Sequence, residues 1–336
     1  MKRKLLLFGL LALVAISGWS YYFFHSEEVV EKRIEANRPP ERTYPHADVT
    51  FEDFAKEADG YWLFEPHSPQ PDTAPVIVFI HGFSAYNPMV YGQWIRHLVQ
   101  NGNIVIFPRY QENMVSTPPS EFVQNTVTAI KDALAKQAEE GRVHPKAHEL
   151  IMVGHSFGGA IIGNLLATYD QFDLPECKGA MLVSAGTGPI EGFVLDSYAS
   201  IPSYTYMLMM VSENDLVVGD VFAQKVFETA VNTPNRNLVR QLADEHGEEK
   251  VTATHLEVYE LDATFDNGIH GYSYMRAQSS RLDQVDLMYW RMLDALIDCV
   301  RNGASCDQAF GNTPGQRNMG TWSDGTPVKE LEVLVP

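Results

Sequence analysis

Gly154-His155-Ser156-Phe157-Gly158-Gly159 closes the apolar run Leu150, Ile151, Met152 and Val153, and a helical pattern starts at once behind it. A serine in the middle of a sharp strand-to-helix turn is an exposed nucleophile, and glycines two positions to either side remove side chains that would collide there. Ser156 is therefore the candidate nucleophile. Its hydroxyl is weak near neutral pH, so the chemistry needs a base to take the proton and a carboxylate to orient that base. Asp215, in Ser212-Glu213-Asn214-Asp215-Leu216-Val217-Val218 behind the apolar run from Tyr206 to Val211, is the expected orienting acid, with Glu213 as its fallback. His270, between Ile269 and Gly271 in the loop after the strand-like Leu256, Val258, Tyr259 and Leu261, is the expected general base. His255 competes in sequence order, but at the beginning of that expected strand it would lie at the wrong end of a sheet. Acyl transfer places negative charge on a carbonyl oxygen, and two backbone N–H groups are assigned to receive it. These are Phe83, in His81-Gly82-Phe83 behind the apolar run from Ala74 to Ile80, and Phe157, at the start of the helix after the nucleophile. His81 and His155 lie inside these two motifs and read as structural hydrogen-bonding groups.

The elements that must position these residues alternate. Strand-like segments fall at Tyr61 to Phe64, Ala74 to Ile80, Asn103 to Phe107, Leu150 to Val153, Ala180 to Ser184, Tyr204 to Val211 and Leu256 to Leu261. Helical spacing appears between them, as in Val123, Val127, Ile130 and Leu134, and again in Tyr289, Met292, Leu296 and Val300. Such alternation predicts an α/β fold with a mostly parallel central sheet and helices on both faces. The stretch from Thr187 to Ser203 is too short for a multi-helix cap, so little or no cap domain is expected and the cleft should be open. The polar, acidic stretch from Arg236 to Lys250 reads as a surface excursion.

The order Ser, Asp, His, each just past the end of a strand-like run, resembles that of the α/β-hydrolase fold. The chain is similar to the serine esterases and lipases of that superfamily over roughly Thr50 to Arg301. Within them, His81-Gly82-Phe83 and the Ser156 motif resemble the dienelactone-hydrolase-like esterases, the cutinase-like polyester hydrolases and the platelet-activating-factor acetylhydrolases. The acid loop resembles the usual Gly-x-x-Asp-x-x-Val, with Ser212 where glycine is common, and the separation of Asp215 from His270 is long for compact members. The resemblance implies hydrolysis of small-molecule, lipid or polymeric carboxylic esters through an acyl-enzyme, with no metal or organic cofactor. Three rival readings stand beside it: an acetylhydrolase-type phospholipase, a peptidase of the prolyl-oligopeptidase group, and a catalytically silent α/β-hydrolase that serves as a binding module. The peptidase group's Gly-Trp-Ser-Tyr-Gly-Gly elbow is absent, and a silent module would commonly lack a triad member, whereas all three positions are filled.

The 336 residues can bury a full core, and 25 Lys plus Arg against 43 Asp plus Glu leave a net charge of −18. A nucleic-acid backbone or an anionic membrane face is excluded as an expected partner. Met1-Lys2-Arg3-Lys4 precedes an uncharged stretch of 20 residues, Leu5 to Phe24, which reads as a signal peptide or a retained membrane anchor for an exported chain. The expected organisation is a targeting segment over 1–24, a proline-containing spacer over 25–48, a catalytic domain over 49–306 and an irregular tail over 307–336. Cys299 and Cys306 are close enough in sequence to close a small disulfide loop in an oxidising compartment, whereas Cys177 reads as a buried side chain.

Overall fold

The computed structural model describes residues 42–247, 249–270 and 288–336. The targeting segment and nearly all of the spacer lie outside the described residues, among which no helix is long and apolar enough to cross a membrane. Among the described residues nine strands form one sheet in the order β1-β2-β4-β3-β5-β6-β7-β8-β11. They are β1 (Asp48–Asp53), β2 (Tyr61–His67), β3 (Thr73–Ile80), β4 (Ile104–Pro108), β5 (His144–His155), β6 (Cys177–Val183), β7 (Tyr206–Ser212), β8 (Arg236–Gln241) and β11 (Glu332–Leu334). From β4 through β8 every neighbouring pair is parallel. β1 and β2 at one edge and β11 at the other run antiparallel to their neighbours. β9 (Asp244–His246) and β10 (Glu249–Val251) form a separate hairpin.

Period-two alternation divides the sheet between two cores. Ile77, Phe79, Ile151 and Val153 face one layer, whose helices are α1 (Gly92–Gln100) and α5 (Met288–Asn302), with Trp94, Leu98, Trp290 and Leu296 buried. Val76, Val78, Leu150 and Met152 face the other, covered by α2 (Phe122–Gln137), α3 (Phe157–Ala167) and α4 (Val221–Thr229). Every residue of α3 is buried, which explains a run with no polar face.

The structure bears out the α/β-hydrolase fold and its mostly parallel sheet, but the last parallel strand differs from expectation. It is β8, inside the stretch read as a surface excursion. Leu238 and Val239 fill opposite faces, while the buried polar residues find partners: Arg236 donates to the carbonyls of Phe227 and Thr233. Leu256 to Leu261 forms no strand. Its backbone runs across the turn Pro88–Tyr91, with Glu260 N–H donating to Val90 O and Asp262 N–H to Met89 O, and Val258, Tyr259 and Leu261 are buried while Leu256 is partly so. The tail expected to be irregular supplies β11 and buries Met319, Trp322, Val328, Leu331 and Val333 against the layer of α1 and α5. Cys299 and Cys306 are joined in a disulfide between α5 and the residue just before this tail, and Cys177 is buried.

Leu331, 2% exposed, tests the tail's contribution. Leu331→Ala is expected to destabilise the protein by about 2–5 kcal/mol in chemical denaturation, where a loose terminus would give almost nothing.

Candidate active site

Ser156 joins β5 to α3 with φ 55° and ψ −120°, a conformation an L-residue rarely adopts. The glycines around it permit the close approach of helix to strand. A Cβ on Gly154 would lie 2.6 Å from the Gly158 backbone, and one on Gly158 would lie 2.1 Å from the carbonyl oxygen of Ile80 at the end of β3. The Ser156 N–H donates to Val183 O at the end of β6, and its carbonyl accepts from Gly159, Ala160 and Gly186.

After β3, Gly82 N–H donates to the Tyr91 hydroxyl, Ser84 N–H to Gln111 Oε1, and Ala85 N–H to Gly82 O. These bonds fix the turn that carries Phe83, whose ring centroid is 6.1 Å from that of Phe157. His81 is buried with its ring nitrogens against the carbonyls of Gly82 and Arg109, and burial pushes its pKa down to about 4. It braces the turn.

Asp215 lies just beyond β7 and is buried. Its Oδ1 accepts from the N–H groups of Val217 and Val218 at 2.9 and 3.0 Å, and its Oδ2 lies 2.7 Å from His255 Nδ1. A carboxylate only accepts, so His255 Nδ1 carries the hydrogen and the other ring nitrogen, Nε2, is left to take a proton. Burial alone would raise the Asp215 pKa, but the His255 hydrogen bond and charge and the two amides outweigh it and hold the carboxyl below its ordinary value. The backbone ties acid loop to base loop as well: Glu213 N–H donates to Gln241 O and Asn214 N–H to Ala253 O. His255 and His155, the neighbour of Ser156, have ring centroids 4.6 Å apart.

Ser156, Asp215, Phe83 and Phe157 thus gather at the carboxyl ends of the parallel strands, where ligands of open α/β sheets bind. His270 does not join Asp215. Its Nε2 lies 2.7 Å from Asp266 Oδ2 on an exposed loop, and His255 occupies the position beside Asp215 that the sequence reading gave to His270. The reason lies in the strand assignment: with β8 as the last parallel strand, His255 follows its carboxyl end rather than preceding a strand. The signal available in the sequence was order alone, since His255 also follows Asp215. Glu213, the fallback acid, accepts instead from Ala243 N–H. A cavity of about 950 Å³, lined by Arg42, Arg291, Asp294 and Arg301 among others, opens at the amino ends of the strands, away from these residues. Among the described residues no cluster of His, Cys, Asp or Glu could hold a metal ion.

A family model described as Chlorophyllase matches residues 61–199, a span running from β2 past β6 that includes both glycine-bearing motifs and ends before Asp215 and His255. No curated protein was found to match the chain.

The Asp215 pKa gives a signed expectation for stability. A carboxyl held below its ordinary 3.8 contributes stability that is complete above the unfolded value and lost as pH falls through the folded one. Asp215→Asn should therefore unfold more easily by about 1–3 kcal/mol near neutral pH, and the gap from wild type should close below pH ~4. Denaturation midpoints followed from pH 7 to pH 3 test this; a gap that stayed constant would exclude a charge contribution.

Proposed function

We propose that this α/β-hydrolase-fold carboxylic ester hydrolase works through Ser156, His255 and Asp215, with the backbone N–H groups of Phe83 and Phe157 receiving the oxyanion. The observation that carries the assignment of the base is the 2.7 Å bond from His255 Nδ1 to the buried Asp215 carboxylate. In this reading Ser156 Oγ attacks the ester carbonyl as His255 Nε2 takes its proton. His255 then returns the proton to the alcohol that leaves. Water, deprotonated by the same imidazole, attacks the acyl-enzyme, and the acid product departs. Asp215 keeps the imidazole in the tautomer whose Nε2 is unprotonated and offsets the charge of the imidazolium that forms at each proton transfer.

The substrate we assign is an apolar ester too large for a closed pocket. Large hydrophobic side chains stand exposed beyond the carboxyl ends of three parallel strands: Met114 and Val115 in the loop after β4, Val194 after β6, and Leu216 and Val217 after β7 with Val221 at the start of α4. Leu216, adjacent to Asp215, is 96% exposed, and Val115 is 90% exposed. Since β5 and Ser156 lie between these strands, the apolar side chains flank the nucleophile on both sides. Exposed apolar side chains grouped at a mouth favour an apolar ligand. The match to a chlorophyllase model, a family of ester hydrolases, supports the same class. We also place the enzyme outside the cytoplasm, secreted or tethered by the segment from Leu5 to Phe24. The Cys299–Cys306 disulfide and the basic residues before that segment support this placement.

Labelling with a fluorophosphonate followed by peptide mapping tests the nucleophile, and p-nitrophenyl esters from acetate to palmitate test the substrate. Label is expected on Ser156, with kcat/KM rising beyond acetate; absence of label on folded protein would favour the silent binding module. Ser156→Ala and His255→Ala should each lower kcat by roughly 10^4-fold or more, whereas His270→Ala should stay within about threefold of wild type. Loss of activity in His270→Ala with retention in His255→Ala would overturn the assignment of the base.

A further inference from the structure

We propose that Tyr91 and His155 are positioning residues that tie the oxyanion turn to the base, a role that rests on the triad reading above. Three bonds form one buried chain beneath the nucleophile. Gly82 N–H donates to Tyr91 Oη at 2.9 Å, Tyr91 Oη lies 2.9 Å from His155 Nδ1, and His155 Nε2 lies 3.0 Å from the backbone carbonyl oxygen of His255. Both side chains in the chain, those of Tyr91 and His155, are buried.

The hydrogens can be assigned by elimination. A carbonyl only accepts, so His155 Nε2 carries a hydrogen and donates to His255 O. A neutral imidazole with its hydrogen on Nε2 accepts at Nδ1, where the Tyr91 phenol lies at hydrogen-bond distance and can donate. Burial, with Tyr259 next in order, pushes the Tyr91 pKa well above its ordinary value, so the phenol keeps that hydrogen. The chain then runs in one direction, Gly82 N–H to Tyr91 O–H to His155 and on through Nε2–H to His255.

Its two ends matter for the chemistry. Gly82 immediately precedes Phe83, whose amide is assigned to the oxyanion, and the bond to Tyr91 fixes the plane of the peptide before it. At the other end the bond grips the main chain of the base. Asp215 orients the His255 ring at Nδ1, while His155 holds the backbone from which that ring projects. His155 is joined to Ser156 by one peptide bond, so nucleophile, base and oxyanion turn are all referred to a single imidazole. Groups behind the reacting atoms typically change activity by about 10- to 100-fold when removed, because the reacting groups tolerate little displacement.

Tyr91→Phe removes one oxygen and breaks the chain at its centre. His155→Leu removes both ring nitrogens, and His155→Gln keeps an amide N–H that can reach the His255 carbonyl and an oxygen that can accept from Tyr91. Steady-state kinetics with a p-nitrophenyl ester, the fluorophosphonate labelling rate of Ser156, and thermal unfolding of the full chain are measured beside Ser156→Ala and His255→Ala. Tyr91→Phe and His155→Leu are expected to lose about 10- to 100-fold in kcat and in labelling rate, with KM within about threefold and the fold retained. His155→Gln is expected to recover most of the loss. Folded Tyr91→Phe or His155→Leu protein with wild-type kcat, or His155→Gln as impaired as His155→Leu, overturns the proposal. Should His155→Leu fail to fold, Tyr91→Phe decides. Turnover that survives in Ser156→Ala or His255→Ala refutes the triad itself, a result separable from failure of the positioning role.

Discussion

Ser156 holds its positive φ because its N–H is bonded to Val183 while its carbonyl receives Gly159, Ala160 and Gly186. A non-glycine residue in such a conformation costs of order 1–3 kcal/mol and persists only where the surroundings over-determine it. Here they do so from both sides: β5 is central in the sheet, and α3 is buried along its whole length. The helix can start directly behind the strand because Gly154 and Gly158 let the two backbones approach each other and the end of β3. The position of the turn that carries Phe83 follows, since β3 and β5 pair in parallel up to Ile80 and Gly154.

A second constraint works on Asp215 and His255, which come from loops of very different length. Asp215 follows β7 by three residues, whereas the hairpin of β9 and β10 separates β8 from His255. Backbone bonds from Glu213 and Asn214 to Gln241 and Ala253 clamp the two ends of that excursion to the acid loop. Loop-closure entropy grows slowly with length, so the excursion costs little once its ends are fixed. A chain of net charge −18 thereby keeps the Asp215 carboxylate buried, compensated by an imidazole and two amides.

Most of the parallel sheet was legible because β3, β4, β5, β6 and β7 are covered on both faces and therefore carry continuous apolar runs. The nucleophile was legible for the same reason, since its motif follows one of those runs. β8 was not. With only Leu238 and Val239 apolar, it is buried through the hydrogen bonds of Arg236 and its other polar residues, which a periodicity reading scores as surface. Leu256 to Leu261 failed in the opposite sense: its residues are buried by the turn Pro88–Tyr91 and by α1, contacts made in three dimensions, so apolar alternation there imitated a strand. With that strand displaced, the expectation fell on His270 rather than on His255, the histidine that lies beside Asp215. In the tail, Met319, Trp322 and Val328 are dispersed among Gly320, Gly325 and Pro327, and the alternation of Leu331 and Val333 covers too few residues to stand out as a strand.

The two candidate histidines also show which kind of information the proposed triad contains. Sequence order admits both histidines after Asp215, and each has a carboxylate 2.7 Å from a ring nitrogen, so neither order nor pairing separates them. What separates them is the carboxylate each one meets. Asp266 is part of the same short loop as His270, an (i, i+4) partner at the surface, held by the Asn87 amide rather than by a strand of the parallel sheet. Asp215 and His255 are brought together from different strands, and both side chains are withdrawn from water. Only that pair is positioned by the same sheet that positions Ser156, and only its geometry would be disturbed by moving β7 or β8. A triad is in this sense a property of the sheet, and a residue belongs to it through the strand that carries it to the nucleophile.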